Sequence, residues 1–406
     1  LFITFSSSNL QQDEHMLIKE NLNALLILPY PSFCYIIPTV CMRPLRQIND
    51  LLCAEILAVT GCTEPASVAF AFRRACLLLR QPLDPMTVRA RLDASSDVLR
   101  NASTAMVPFL NCRGLRVVVA VGLSSTANTF NVFPAIEPRT ARILLKRRSW
   151  LAANPVRRKG IYIKATLFTP NESVAVVIQG RHDEIRSVAR NGKIVYRGAT
   201  RRPPAMTMAE ILAVAAKRDP GMENAARQFI TRQVRGDLSV VMPERIAALV
   251  RARMRGSSAP VMTITGSGNQ GIFLSVPYCE LYQKHGNRIL PAVVVSLLTQ
   301  ILLTEKRKRI SDKCGLATKA APALAAGLAF AEGRDPADIR RLMSEVEQRM
   351  RDMRCYGARA SCGNKAARAF RQVLKSVADS RLANRKDTLH CRHAKICPAY
   401  CRGFAG

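Results

Sequence analysis

The hydrophobic period of this chain changes twice, and that change limits its fold more than any other feature. From Met42 onward, Ile48, Leu51, Leu52, Ile56 and Val59 recur at helical spacing up to Gly61. A second helix is expected from Pro65 to about Leu79, because Pro suits a first helical turn and Glu64 suits the positive helix end. Between about residues 86 and 200 the period falls to two. Val88-Ala90-Leu92 and Ile161-Ile163-Ala165-Leu167 alternate, Val117–Val121 is a β-branched run, and Asn191-Gly192 is a two-residue hairpin turn. After Pro204 helical spacing returns, over Met208–Lys217, Met222–Gln233, Pro243–Met254, Ile289–Leu303, Leu316–Ala331, Pro336–Arg351 and Lys365–Ala378. Asp335-Pro336 supplies a cap and first-turn pair, and the Ala-rich run Ala320–Ala331 allows close helix packing. The expected class is α+β, with a sheet-containing unit (86–200) inserted between an N-terminal helical pair and a mainly α-helical C-terminal half (205–380).

The two ends are read separately. Residues 1–41 form an unassigned leader, with the protein proper expected to open at Met42. Its apolar stretch over 24–41 is interrupted by Pro29, Pro31 and Pro38, which argues against a membrane span. Residues 381–406 read as a basic Cys-rich tail. Cys391, Cys397 and Cys401 with His390 and His393 match no regular zinc-finger spacing.

Charge and cysteine content narrow the function classes. Lys plus Arg number 61 against 29 acids, a formal +32, which attracts polyanions without sequence preference. The excess is spread rather than gathered in a stripe, and aromatics are only 6% with one Trp, so no specific nucleic-acid partner is expected. Thirteen cysteines in 406 residues are too few for a disulfide scaffold, and their number is odd. A cytoplasmic enzyme with metal-binding thiols fits this count.

Several motifs carry chemistry. Cys62 lies in Gly61-Cys62-Thr63-Glu64-Pro65, where a helix N-terminus would stabilise its thiolate. Cys355 and Cys362 stand seven apart. On one helix they would lie about 10.5 Å apart along the axis, too far for one iron but within reach of different corners of a cluster if the chain bends at Gly357 and Gly363. Cys314 precedes Gly315 at another helix entrance. Gly266-Ser267-Gly268-Asn269-Gln270-Gly271 satisfies G-x-G-x-x-G, but no acidic residue follows between Glu280 and Glu305 to hold a ribose, and Pro277 is expected to truncate any helix. The alternative is an open loop whose N–H groups, with Asn269 and Gln270, bind a carboxylate. Taken singly, each of these cysteines is more often a core residue than a ligand.

Together and in this order, these motifs, the Ala252-Arg253-Met254 to Pro260 stretch and Lys365 resemble the L-cysteine desulfidase family, relatives of the iron–sulfur L-serine dehydratase α chain. The resemblance runs from about Pro44 to Ala378. It implies a lyase converting L-cysteine to sulfide, ammonia and pyruvate, with L-serine dehydration as one alternative and a non-catalytic basic binding protein on the same scaffold as another. It also implies a 4Fe–4S cluster held by Cys314, Cys355 and Cys362, and Cys62 as base or resting cap of the open iron. Glu64, Asn101, Ser267, Asn269 and Gln270 would contact the small amino-acid substrate, and an oligomer is compatible with it. The chain departs from the family pattern in three motifs, in a basic Cys-rich tail where a helical ending is expected after the last shared helix, and in its +32 charge. Pro108-Phe109-Leu110-Asn111 stands for Pro-Gly-Thr-Gly, His182-Asp183-Glu184 for His-Thr-Asn, and Tyr356 for an Asp.

Overall fold

A computed structural model describes residues 44–199 and 206–393 of the protein. The leader expected over 1–41 lies outside these residues. The first described elements are helix α1 (Leu45–Glu55), strand β1 (Ile56–Val59) and helix α2 (Thr63–Leu77). Strand β2 (Arg89–Ser95), helix α3 (Ser96–Thr104), a short hairpin of β3 (Met106–Val107) and β4 (Cys112–Arg113), and helices α4 (Leu115–Ser124) and α5 (Pro138–Lys146) follow. Strands β5 (Leu151–Val156), β6 (Tyr162–Phe168), β7 (Ser173–Gln179), β8 (Ile185–Arg190) and β9 (Lys193–Arg197) complete a six-stranded sheet of order β5-β2-β6-β7-β8-β9. Only the β2–β5 pair is parallel. The period-two pattern is what builds it: Ile163, Ala165, Leu167, Val174, Val176 and Ile178 all face one core, on which α2 packs. The turn at Asn191-Gly192 joins β8 to β9 as the dipeptide demands, with both residues at positive φ.

The C-terminal half is helical apart from one strand. It comprises α6 (Met208–Ala216), α7 (Pro220–Thr231), α8 (Met242–Met254), β10 (Val261–Ile264), α9 (Gly268–His285), α10 (Leu290–Arg307), a π-turn over Leu316–Ala320 running into α11 (Ala321–Ala331), α12 (Pro336–Gln348) and α13 (Cys362–His393). Side-chain caps set several starts. Thr207 and Glu210 form a capping box on α6, Asp219 caps α7, and Asp335 accepts from Ala337 N and Asp338 N at α12. Close packing at the Ala-rich α11 is real: at Gly327 there is no room for a Cβ beside Ser296, Tyr278 and the α10 backbone. The α9–α10 stretch Gly268–Arg307 is the one among the described residues long and apolar enough to cross a membrane, and its most apolar window is 89% buried within the helical core.

The fold is thus α+β, a mixed sheet in the middle with helices at both ends. Four local expectations need correction. The first helix stops at Glu55, because Ile56–Val59 pairs antiparallel with Val261–Ile264 and Thr263 Oγ1 donates to Leu57 O. Val117–Val121 is helical in α4, not a strand; this helix is buried between α2 and α5, and burial overrides β-propensity. Gly122 lets it meet the α2 backbone at Ala69. Pro277 does not truncate α9, which runs on to His285. The cost of an interior Pro, about 3 kcal/mol, is outweighed by the burial of this helix on nearly every side. At the C-terminus the α13 backbone continues to His393, so residues 381–393 extend a helix; residues 394–406 of the expected tail lie outside the described residues.

Apolar side chains form two cores. The larger takes α1 with α6–α13, and the smaller takes α2–α5 with the sheet. The N-terminal helical pair is therefore split between them, and Cys62 stands at the divide.

Candidate active site

A cleft of about 740 Å³, its open mouth included, lies where the two cores meet. It is lined by all nine residues singled out from the sequence: Cys62, Glu64, Asn101, Ser267, Asn269, Gln270, Cys314, Cys355 and Cys362. They arrive from widely separated segments of chain, so their meeting is a property of the tertiary fold.

Backbone pairing explains how two of the cysteines meet. Lys313 bridges Arg354 antiparallel, Cys314 N donates to Met353 O (3.0 Å) and Cys355 N donates to Asp312 O (2.7 Å). That register puts Cys314 and Cys355 on one face as diagonal neighbours, roughly 7–8 Å apart. Gly357, at φ +90, then turns the chain, and Cys362 follows as the first residue of α13 with Sγ 3.7 Å from Gly357 O. The pair 355 and 362 thus sits on a bent loop rather than on one helix face. All three thiols are free. Burial pushes the Cys314 and Cys362 thiols up, nearby backbone N–H groups oppose it, and the neighbouring Cys355 adds to the rise in both. Among the described residues, no three His, Cys, Asp or Glu are grouped to hold a single metal ion. Three free thiols lining one cleft have the donor chemistry of cluster ligands, since each thiolate of a cubane takes a different iron.

Cys62 caps α2, but the expected stabilisation of its thiolate is overturned. Burial and the Glu64 carboxylate push the thiol up to about 12, against a smaller opposing pull from Arg253. The helix end cannot compensate because Glu64, in its first turn, places a negative charge beside the sulfur: Glu64 Oε2 accepts from Cys62 Sγ at 3.5 Å. Burial alone would raise Glu64, yet His182, the local backbone and Arg253 hold it at about 2. His182 Nε2 stands 3.7 Å from Glu64 Oε1, an ion-pair rather than a hydrogen-bond distance, and neither ring nitrogen has a hydrogen-bond partner.

The glycine motif is not an open loop. It follows β10 as a tight turn, with Thr265 and Gly266 at positive φ, and its last four residues begin α9. Each glycine makes room for a neighbour: Gly266 for the His182 ring, Gly268 for the Arg253 guanidinium (a Cβ would lie 2.5 Å from Nε), and Gly271 for the Met262 carbonyl. Ser267 Oγ accepts from Gln270 N as the helix cap. Asn269 Oδ1 accepts from Arg253 Nη1 (2.9 Å). The Gln270 side chain accepts from Gln300 Nε2 (2.5 Å) in a buried network with Thr265 and Thr304. Ser267 and Gln270 are therefore held in place chiefly by internal bonds. The β10 strand has a single partner, the antiparallel β1, which is not the parallel sheet of a dinucleotide fold.

Four further residues at the site were not singled out from the sequence. His182 and Arg253 line the cleft, buried and with unmatched donors. Lys319, on the π-turn, donates to Lys308 O and Arg309 O (both 2.9 Å), and burial lowers it to about 8. Arg309 grips Glu55 with both nitrogens (2.7 and 2.8 Å) and fixes the segment leading to Cys314. The signal for Arg253 was present in the quoted Ala252-Arg253-Met254 stretch; that for Glu55–Arg309 was absent, since the two are 254 positions apart.

Comparison with known proteins places the chain in a family. The chain is 28% identical over 364 residues to a protein named UPF0597 from Kosmotoga olearia, covering 79% of this chain and 85% of that one. It is 27% identical over 375 residues to a UPF0597 protein of Oleidesulfovibrio alaskensis, covering 81% and 86%. A UPF0597 protein of Methanocella arvoryzae is 26% identical over 365 residues, covering 79% and 84%. Residues 158–390 match the family described as serine dehydratase alpha chain, a stretch that contains the glycine turn and three of the four site cysteines. By that match the chain belongs to the serine dehydratase alpha chain family.

Proposed function

We propose that this protein is an iron–sulfur-dependent carbon–sulfur lyase that converts L-cysteine to sulfide, ammonia and pyruvate in the cytoplasm. Residues 42–380 form its catalytic region in this reading. The single observation that carries it is the meeting of Cys62, Cys314, Cys355 and Cys362 with the glycine turn in one cleft. Cys314, Cys355 and Cys362 are the residues suited to hold a 4Fe–4S cluster, which supplies a Lewis acid for the departing sulfur when bound.

The chain's own residues account for the rest. Asn269 and the N-terminus of α9 orient the substrate carboxylate, with Ser267 and Gln270 fixing the turn that presents them. Asn101, buried in the lining beside Gly357, offers its amide to the substrate. Burial and Glu64 favour the protonated Cys62 thiol, so acting as base requires a positive charge beside it, and a substrate ammonium is one. Glu64, ionised and 3.5 Å from Cys62 Sγ, receives that thiol's hydrogen bond. Loss of the α-proton and of hydrosulfide leaves aminoacrylate, which tautomerises to the imine and hydrolyses to pyruvate and ammonia.

The family description favours a second reading, L-serine dehydration, in which hydroxide leaves instead of hydrosulfide. Anaerobic reconstitution with iron and sulfide, followed by turnover of L-cysteine and L-serine on one preparation, decides between them. A brown protein releasing sulfide and pyruvate from L-cysteine supports the proposal. A protein that stays colourless, and binds a polyanion column in a salt-sensitive way, defeats it in favour of a basic binding role.

A further inference from the structure

Arg253 is a buried cation that no carboxylate contacts directly, although the Glu64 carboxylate is near enough to feel its charge. Only 4% of it is exposed, and no carboxylate lies within ion-pair distance of it among the described residues. Nη1 is committed to Asn269 Oδ1, whereas Nε and Nη2 are buried without a hydrogen-bond partner. A buried guanidinium left in this state costs several kcal/mol, and it persists in a folded protein when a ligand completes it. Its surroundings are built to keep it there. Gly268 has no Cβ, and one added would lie 2.5 Å from Nε and 2.8 Å from Nη2. The guanidinium lines the cleft beside the N-terminus of α9, an 18-residue helix whose first turn favours negative charge.

We propose that Arg253 is the specificity-determining group for the substrate's α-carboxylate. The guanidinium, whose Nε and Nη2 are enclosed without a partner, is the group that takes the carboxylate, and Nη1 holds Asn269 in register with it. The cleft then selects free amino acids over their amides, esters and decarboxylated amines. This inference rests on the reading of the cleft as an amino-acid site but not on which leaving group departs.

The test uses the full chain after anaerobic reconstitution and L-alanine, which has no β-leaving group and is read by calorimetry without turnover. Wild type is expected to bind L-alanine and to bind L-alaninamide at least about tenfold more weakly. Arg253→Gln is expected to lose about 10- to 150-fold in L-alanine affinity, the range of a hydrogen bond to a charged group, while L-alaninamide binding is unchanged. A folded Arg253→Gln protein that binds L-alanine as wild type does overturns the proposal. So does a variant that loses its brown colour but keeps L-alanine affinity, since Arg253 would then be balancing the cluster's charge. If Arg253→Gln does not fold, Arg253→Ala with added guanidinium is the second arm: recovery of L-alanine binding supports the proposal, and a folded protein that fails to recover overturns it. Arginine-dependent binding of L-alanine without sulfide release would leave the carboxylate assignment standing and defeat the lyase reading alone.

Discussion

Gly266 and His182 occupy one space: the His182 ring fills the position where a Cβ on residue 266 would be. Residue 266 also sits at φ +76, which non-glycine residues adopt at a cost of about 1–2 kcal/mol. Gly266→Ala is therefore expected to destabilise the protein by at least that amount and to push His182 away from Glu64. Displacement of a cleft residue by about 1 Å commonly costs on the order of 10²-fold in turnover. Urea denaturation and L-cysteine turnover on the same variant measure both effects, and unchanged turnover would separate His182 from the chemistry.

Phe109 is strained without serving the cleft. It stands at φ +66 with 53% of the residue exposed, in the loop that joins β3 to β4. Phe109→Gly removes about 1–2 kcal/mol of left-handed strain and adds about 0.4–1 kcal/mol of unfolded-chain entropy. The net expectation is a stabilisation on the order of 0.5–1 kcal/mol, visible as a higher urea midpoint. Gly61 packs directly on Pro108 of this loop, so the change is felt next to Cys62.

The buried Glu55–Arg309–Arg181 group ties the end of α1 to the segment before Cys314. Arg181 Nη1 donates to Glu55 Oε1 at 3.0 Å, adding to the two bonds from Arg309. Removing one member of a buried pair leaves the others uncompensated, at about 3–5 kcal/mol. Glu55→Ala is expected to lose that much in denaturant unfolding and, through the shifted Cys314 segment, to retain less iron after reconstitution.

Glu64 sets an acid limit. Its pKa of about 2 lies below the ordinary value of 4.5, so the folded state favours the carboxylate and the unfolded state binds more protons as pH falls. Its stabilising contribution is complete above about pH 4.5 and is lost as pH drops from there towards 2. Glu64→Gln is expected to flatten that part of the stability–pH curve. Thermal unfolding of both proteins between pH 3 and 6 checks it; parallel curves would assign the acid sensitivity elsewhere.

The three proposed ligands separate from ordinary cysteines by substitution. Cys314→Ser, Cys355→Ser and Cys362→Ser are each expected to abolish most iron binding and the visible absorption after reconstitution. Cys53→Ser, at an exposed position on α1, is expected to leave both intact. Loss of iron in the Cys53 variant as well would indicate non-specific thiol binding.

Local pattern was legible wherever one face of an element meets water. The alternation of β2 and β6, the Asn191-Gly192 turn and the Asp335-Pro336 start all follow from residue-level preferences that the surroundings leave undisturbed. It failed at two largely buried segments. In α4 the β-branched run favours a strand and at Pro277 the residue favours a break, and packing against neighbouring helices overrides both. Ile56–Val59 misled for a related reason, since its strand exists only by pairing with residues some two hundred positions away.

At the site, spacing alone left each cysteine as an ordinary core residue; the order and co-occurrence of short motifs, read as a family resemblance, singled out the four cysteines and the glycine motif. Tertiary structure alone decided that Cys314 and Cys355 share a face, through the Lys313–Arg354 bridge, and that the glycines exist to admit His182 and Arg253. It also reversed the expected character of Cys62. A helix N-terminus stabilises a thiolate in proportion to its exposure to little else, whereas burial and a carboxylate 3.5 Å away are three-dimensional facts that no spacing encodes.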